Sequence, residues 1–235
     1  MDEYSIDNSK LNCLNFTSFQ TENKDQTPFC NPANFSTEET IKQAQDGIEI
    51  VIQDLIDKLG LRAAYYRDSI DETPKRVAKM MIHETFRGLI KSNYPNISLQ
   101  KNHFNYREML LESGIEINSC CEHHLVPILG KAHIAYLPKK NLIGLSKLNR
   151  IADFHARRPQ IQERLTVEIA EDLSRHLDNQ DVAICIDALH CCVKMRGIQD
   201  SNCVTRTYHL MGQFNDQKYR GEFFSSIPDL KEFRL

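Results

Sequence analysis

At 235 residues, with 41% hydrophobic and 26% charged side chains, the chain has the composition of a globular protein that can bury a core in one large domain or two small ones. A formal net charge of -3 excludes the strongly basic character of a general nucleic-acid binder but permits a local basic pocket. No stretch has the length of a membrane span and "MDEYSIDNSKLNC" lacks the marks of a leader, while eight cysteines mixed with histidines point to reduced thiols in the cytoplasm, not a disulfide framework.

Residues 1–35 are rich in Asn, Ser, Thr and Gln and hold too little apolar surface to fold alone, so a flexible extension is expected there. "STEE" at Ser36–Glu39 has the form of a capping box. Ile41, Ala44, Ile48, Val51, Leu55 and Leu59 follow at spacings of three and four before Gly60, which predicts an amphipathic helix. A second helix is expected from Thr73, with Pro74 at its first position and Gly88 as its stop. Arg76 and Lys79 fall in its first turns, near the positive end of the helix dipole; they read as a solvated face or as cations awaiting an anion. Residues 36–90 thus form an N-terminal helical region.

From Ile115 the period becomes that of strands. "GKAHIAYLP" alternates loosely, and "DVAICIDALH" reads as a buried strand. Between them, "SKLNRIADFHARRP" and "QIQERLTVEIAEDLSRHLD" carry Leu148 and Ile151, then Ile161, Leu165, Ile169, Leu173 and Leu177, at helical spacing, with Pro159 separating the pair. A last strand is expected through "CVTRTYHLMGQF" and a short helix near "RGEFFSSI". This order predicts one α+β domain behind a loose N-terminal arm, with the strands and their two helices falling within residues 91–235.

Two points concentrate unusual chemistry. Cys120 to His124 holds two cysteines, a glutamate and two histidines, and "HCC" at His190–Cys192 ends the later apolar strand. A lone cysteine would read as a buried thiol; two dense clusters at strand ends point to a metal. Counting ligands leaves a closed structural zinc and an open catalytic zinc both standing. The extra histidines, His123 and His190, favour the catalytic reading because imidazole exchanges protons near neutral pH.

Lys147 and Arg150 start a predicted helix near Ser146, and Arg196 follows the second cluster. Singly each reads as a surface charge; with Arg76 and Lys79 they could surround a polyphosphate. Gln162 and Glu163 precede an apolar stripe, and a carboxylate there can accept from the N1–H and amino group of guanine.

"ETPKRVAKM" at Glu72–Met80, "CEHH" at Cys121–His124, "GLSKLNR" at Gly144–Arg150, "RPQIQERL" at Arg158–Leu165 and "HCCVKMRG" at His190–Gly197 together resemble the GTP cyclohydrolase I family, in its motif order, over about residues 40–228. The resemblance implies a tunnelling fold (T-fold) whose antiparallel sheets join into an oligomeric barrel. It implies a homodecamer of two pentamers with active sites at subunit boundaries. The implied reaction converts GTP and water to 7,8-dihydroneopterin triphosphate and formate, the first step of pterin biosynthesis.

By the same resemblance Cys121, His124 and Cys192 would bind Zn2+, leaving a place for a water that zinc ionises near neutral pH. His123 and His190 match the proton-transfer histidines, and Ser146 a serine placed for ribose or phosphate contact and proton relay. Glu163, with Gln162 beside it, matches the guanine anchor; Lys147, Arg150, Arg196, Arg76 and Lys79 match the triphosphate set. Cys120 and Cys191 depart from the pattern as extra thiols that could replace a ligand or oxidise with one. Two rivals are a pterin synthase or deazaguanine reductase on the same fold, and a scaffold that keeps the pocket without turnover.

Overall fold

The computed structural model describes residues 37–230; the extension expected over 1–35, and Ser36 with it, lie outside the described residues. Helix α1 (Glu38–Lys58) is capped by Thr37, whose Oγ1 accepts from the Thr40 backbone N–H at 3.2 Å, one residue later than the "STEE" pattern places it. Glu38 and Glu39 occupy the first turn, where the dipole favours them. Among the described residues the apolar stripe of α1 finds little cover: Ile56 is buried, while Ile50, Val51, Leu55 and Leu59 are exposed.

Two four-residue helices, α2 (Leu61–Ala64) and α3 (Arg67–Ile70), lead to α4 (Thr73–Met80), which holds Pro74 in its first turn and packs on α1. This helix ends before the expected Gly88. It widens into a π turn over Met81–Thr85, and Gly88 lies in a following 3-10 turn, where its N–H donates to Arg157 O at 2.8 Å. A Cβ at Gly88 would collide with the Phe154 and Arg157 carbonyl oxygens, so glycine is required there by close approach.

Strand β1 (Leu99–Lys101) pairs antiparallel with β4 (Asn141–Ile143), a small sheet with no clear periodic signal. The main sheet has the order β5-β2-β3-β6-β7. β2 (Leu110–Cys121), β3 (Pro127–Tyr136), β6 (Val182–His190) and β7 (Thr205–Leu210) are antiparallel, and β5 (Pro159–Gln160) runs parallel to the end of β2. β2 begins ahead of the predicted Ile115 because a bulge between Glu112 and Ile115, with Gly114 at φ 81°, breaks the alternation that would announce it.

Helices α5 (Leu145–Ala156) and α6 (Gln162–Leu177) cover one sheet face, packing Leu148, Ile151, Leu165, Ile169 and Leu173 onto Ile117, Ile134, Ile184 and Ile186. β6 passes directly into the short helix α7 (Cys191–Lys194). The other face is sealed in part by Phe214 and by Phe223 of α8 (Gln217–Ser226) against Ala135, Ala183 and Cys185. The result is a mixed α/β fold built on an antiparallel sheet. Among the described residues no helix is long and apolar enough to cross a membrane.

That second face also buries charge. Asp187, 2% exposed, accepts from Arg206 Nε at 2.6 Å and Nη2 at 2.7 Å, while His133 Nε2 lies 3.8 Å away. Burial pushes the His133 imidazole down, so it is a poor substitute cation. Arg206→Met is therefore expected to destabilise the fold by about 3–5 kcal/mol, since it strands a buried carboxylate, whereas adding Asp187→Leu should recover most of the loss. Urea unfolding of both variants checks this, and equal stability of the single variant and the parent would refute it.

Between α5 and α6, Asp172 accepts from Tyr94 Oη at 2.9 Å and from His155 Nε2 at 2.8 Å, with Arg175 Nη1 at 3.2 Å. Burial raises this carboxyl, but the His155 and Tyr94 hydrogen bonds and the Arg175 charge outweigh it, and the group titrates below its ordinary 3.8. A depressed folded value means the contribution is complete above the ordinary value and is lost as pH falls through the folded one. Urea midpoints should thus fall below about pH 4, and less steeply in Asp172→Asn than in the parent. Parallel profiles for the two would remove Asp172 from the acid response.

Candidate functional site

The hairpin between β2 and β3 carries the first cluster. Its loop closes through Leu125 N–H to Cys121 O and Cys121 N–H to Val126 O, both at 2.8 Å, with Leu125 at φ 51°. The Glu122 N–H donates to Gln160 O at 3.0 Å, and Arg164 of α6 binds the Glu122 carboxylate, Gln160 Oε1 at 2.8 Å and Pro159 O at 3.1 Å. Glu122, Gln160 and Arg164 thus anchor the loop to α6. All three lie inside the quoted motifs, but spacing does not make their job legible.

Register then joins the two clusters. β3 lies between β2 and β6, and the pairs Cys120↔Pro127 and Ile128↔His190 set the end of β6 beside the loop. The chain turns there into α7, so that the ligand atoms of Cys121, His124 and Cys192 all lie within 4.8 Å of one another. Burial, followed by the hydrogen bond and charge of Cys121, pushes the Cys192 thiol up, with Arg196 acting in the opposite sense. Two thiols facing each other across so short a gap are the arrangement a dication relieves. Soft sulfur and imidazole donors in a set of three fit a metal and leave room for a further ligand.

Around this triad, His123 is exposed and sets Nδ1 3.8 Å from Cys121 Sγ. His124 has Nδ1 4.0 Å from the same sulfur and accepts at Nε2 from Arg196 Nη1 at 2.9 Å. Cys120 is buried, and burial followed by the Cys121 charge pushes its thiol up.

His190 closes β6 half-buried. Burial lowers its imidazole and the Glu163 carboxylate partly offsets this, which sets Glu163 near it. Glu163 itself is exposed in the first turn of α6, where the dipole favours an anion. Gln162, at the start of the same helix, is 1% exposed and faces inward to His190.

The remaining candidates are less concentrated. Ser146, Lys147 and Arg150 belong to α5; Lys147 Nζ donates to Asn96 O at 2.6 Å, and Arg150 lines a cleft of about 550 Å³ with His83, Arg87 and Asp153. Arg76 and Lys79 are exposed on α4, a helix that packs on α1 and not on the main sheet. The structure brings together the metal triad, His123 and Arg196, and separately His190, Gln162 and Glu163. It leaves the α4 cations facing solvent.

The chain matches the family model described as GTP cyclohydrolase I over residues 48–228. It belongs to the GTP cyclohydrolase I family. The GTP cyclohydrolase 1 of Flavobacterium johnsoniae is 43% identical over 194 residues, covering 83% of this chain and 84% of that protein. The enzyme of the same name from Enterobacter sp. (strain 638) is 44% identical over 203 residues, covering 86% and 89%. That from Shewanella loihica is 49% identical over 160 residues, covering 68% and 75%. Every candidate site residue from Arg76 to Arg196 falls within the stretch matched by the GTP cyclohydrolase I family.

Proposed function

We propose that this chain converts GTP and water to 7,8-dihydroneopterin triphosphate and formate in a zinc-dependent reaction, the first step of folate or biopterin synthesis. The carrying observation is the convergence of Cys121, His124 and Cys192 from two distant stretches of a chain in the GTP cyclohydrolase I family. The two thiols and an imidazole favour Zn2+. When bound, zinc supplies the Lewis acidity that makes water a nucleophile near neutral pH.

The chain's own residues would do the rest. Glu163 accepts from N1–H and the 2-amino group of guanine, orienting the imidazole ring of the base toward the triad. His123 and His190 carry protons as the ring opens, formate leaves and the ribose rearranges, with Ser146 as a relay. Lys147, Arg150 and Arg196 bind the triphosphate, joined by Arg76 and Lys79.

Exposure of those last two cations supports a site completed between subunits. Among the described residues, the outer edge of β7 and that of β2 from Leu110 to Ser119 carry no pairing strand, and α1 shows Ile50, Val51, Leu55 and Leu59 to solvent. Open edges and an uncovered apolar stripe suit assembly of T-fold sheets into a barrel, here a decamer of two pentamers. We assign residues 36–90 to a helical region of that assembly, 91–235 to its catalytic region and 1–35 to an extension. The free thiols of Cys120, Cys121, Cys185, Cys191, Cys192 and Cys203 suit a cytoplasmic setting.

Labelled formate should appear when purified, zinc-loaded protein is given GTP labelled at C8, stop on chelation and return with zinc. No release from folded, zinc-loaded oligomer would reject the reaction.

A further inference from the structure

Gln162 offers an amide N–H pair and a carbonyl oxygen, and the structure spends both ends inside the protein. Its Nε2 lies 2.9 Å from Ile186 O and 2.9 Å from Thr205 O. Backbone carbonyls only accept, so both N–H groups are committed and the amide cannot be reversed without setting three oxygens against one another. The orientation of Oε1 is thereby fixed toward His190 Nε2, at 2.7 Å. Because that oxygen only accepts, His190 must carry its hydrogen on Nε2. At 1% exposure the Gln162 amide has no face left for a nucleobase.

We infer that Gln162 is a positioning residue for His190: it holds the ring, fixes the Nε2–H tautomer and leaves Nδ1 as the atom that exchanges protons with substrate. This rests on the role of His190 proposed above and replaces the base contact that the family resemblance assigned to Gln162. Its neighbour Glu163, one residue on and exposed, remains to read guanine. Adjacent residues on one helix turn thus divide the work, one facing in to the histidine and one facing out to the base.

Two measurements test the assignment. In zinc-loaded protein labelled with 15N-histidine, the His190 ring, identified by its loss in His190→Gln, should show a pyrrole-type Nε2 and a pyridine-type Nδ1; the reverse pattern overturns the inference. This reading needs no turnover, so it is separable from failure of the cyclohydrolase reaction. In a double-mutant cycle, Gln162→Met should lower kcat about 10- to 100-fold, part of what a placed acid–base group contributes, with GTP affinity within about twofold. In a His190→Ala background the same change should cost nothing further. Weakened GTP binding with kcat preserved, or an undiminished cost without His190, would return Gln162 to base recognition. Oligomer size and zinc content certify the variants, and if Gln162→Met fails to fold, the tautomer in the parent still decides.

Discussion

A Cys192→Ala chain is expected to stay folded, lose its zinc and release formate from GTP roughly a thousandfold more slowly, the rate equivalent of the several kcal/mol a Lewis-acid metal supplies. Cys192 sits half-buried in a four-residue helix at the sheet's end and contributes little to the core, so its loss should spare the fold. Two remaining ligands, Cys121 and His124, are too few for a stable site. The neighbouring thiols set the control. Cys120 alternates to the other side of β2 from Cys121, and burial pushes its thiol up, so it is a poor replacement. Cys191 is half-buried beside Cys192, and the double variant Cys191→Ala/Cys192→Ala shows whether it takes over. Metal analysis by plasma mass spectrometry, alongside formate release, reads the result. One equivalent of zinc in both the single and the double variant would remove Cys192 from the ligand set.

The helices were legible because burial on one side writes itself at three- and four-residue spacing: the Leu165, Ile169, Leu173 series of α6 predicts the packed face that the structure shows. The same rule marks α1, whose stripe is real but is largely exposed among the described residues, since periodicity reports that a face seeks cover and not what covers it. β2 was read short because the Gly114 bulge interrupts a period-two pattern, and β1 and β4 are three residues each, below what any period can show. In the site, the cysteines and histidines were conspicuous by type. Their meeting depends on β3 lying between β2 and β6 in one register, a long-range fact that no local window contains. Gln162 shows the same limit at the scale of one side chain: its motif was visible, but its direction follows from the carbonyls of two strands remote in sequence.

Glu163→Ala should lower kcat/KM for GTP by roughly 10²- to 10³-fold while zinc stays bound, because two hydrogen bonds to a charged acceptor are worth about 1.5–3 kcal/mol each and their loss is only partly offset by water. With the Gln162 amide committed to Ile186, Thr205 and His190, the adjacent side chain on α6 cannot take over the contact. A sharper form of the test replaces GTP by inosine triphosphate, which keeps N1–H but lacks the 2-amino group. The parent should prefer GTP by about tenfold or more, the worth of one such bond, and the variant should treat the two nucleotides nearly alike. A preference retained in Glu163→Ala would mean that another group reads the 2-amino position. Loss of zinc in that variant would instead show the carboxylate supporting the His190 end of the site, where its charge already opposes the effect of burial on the imidazole.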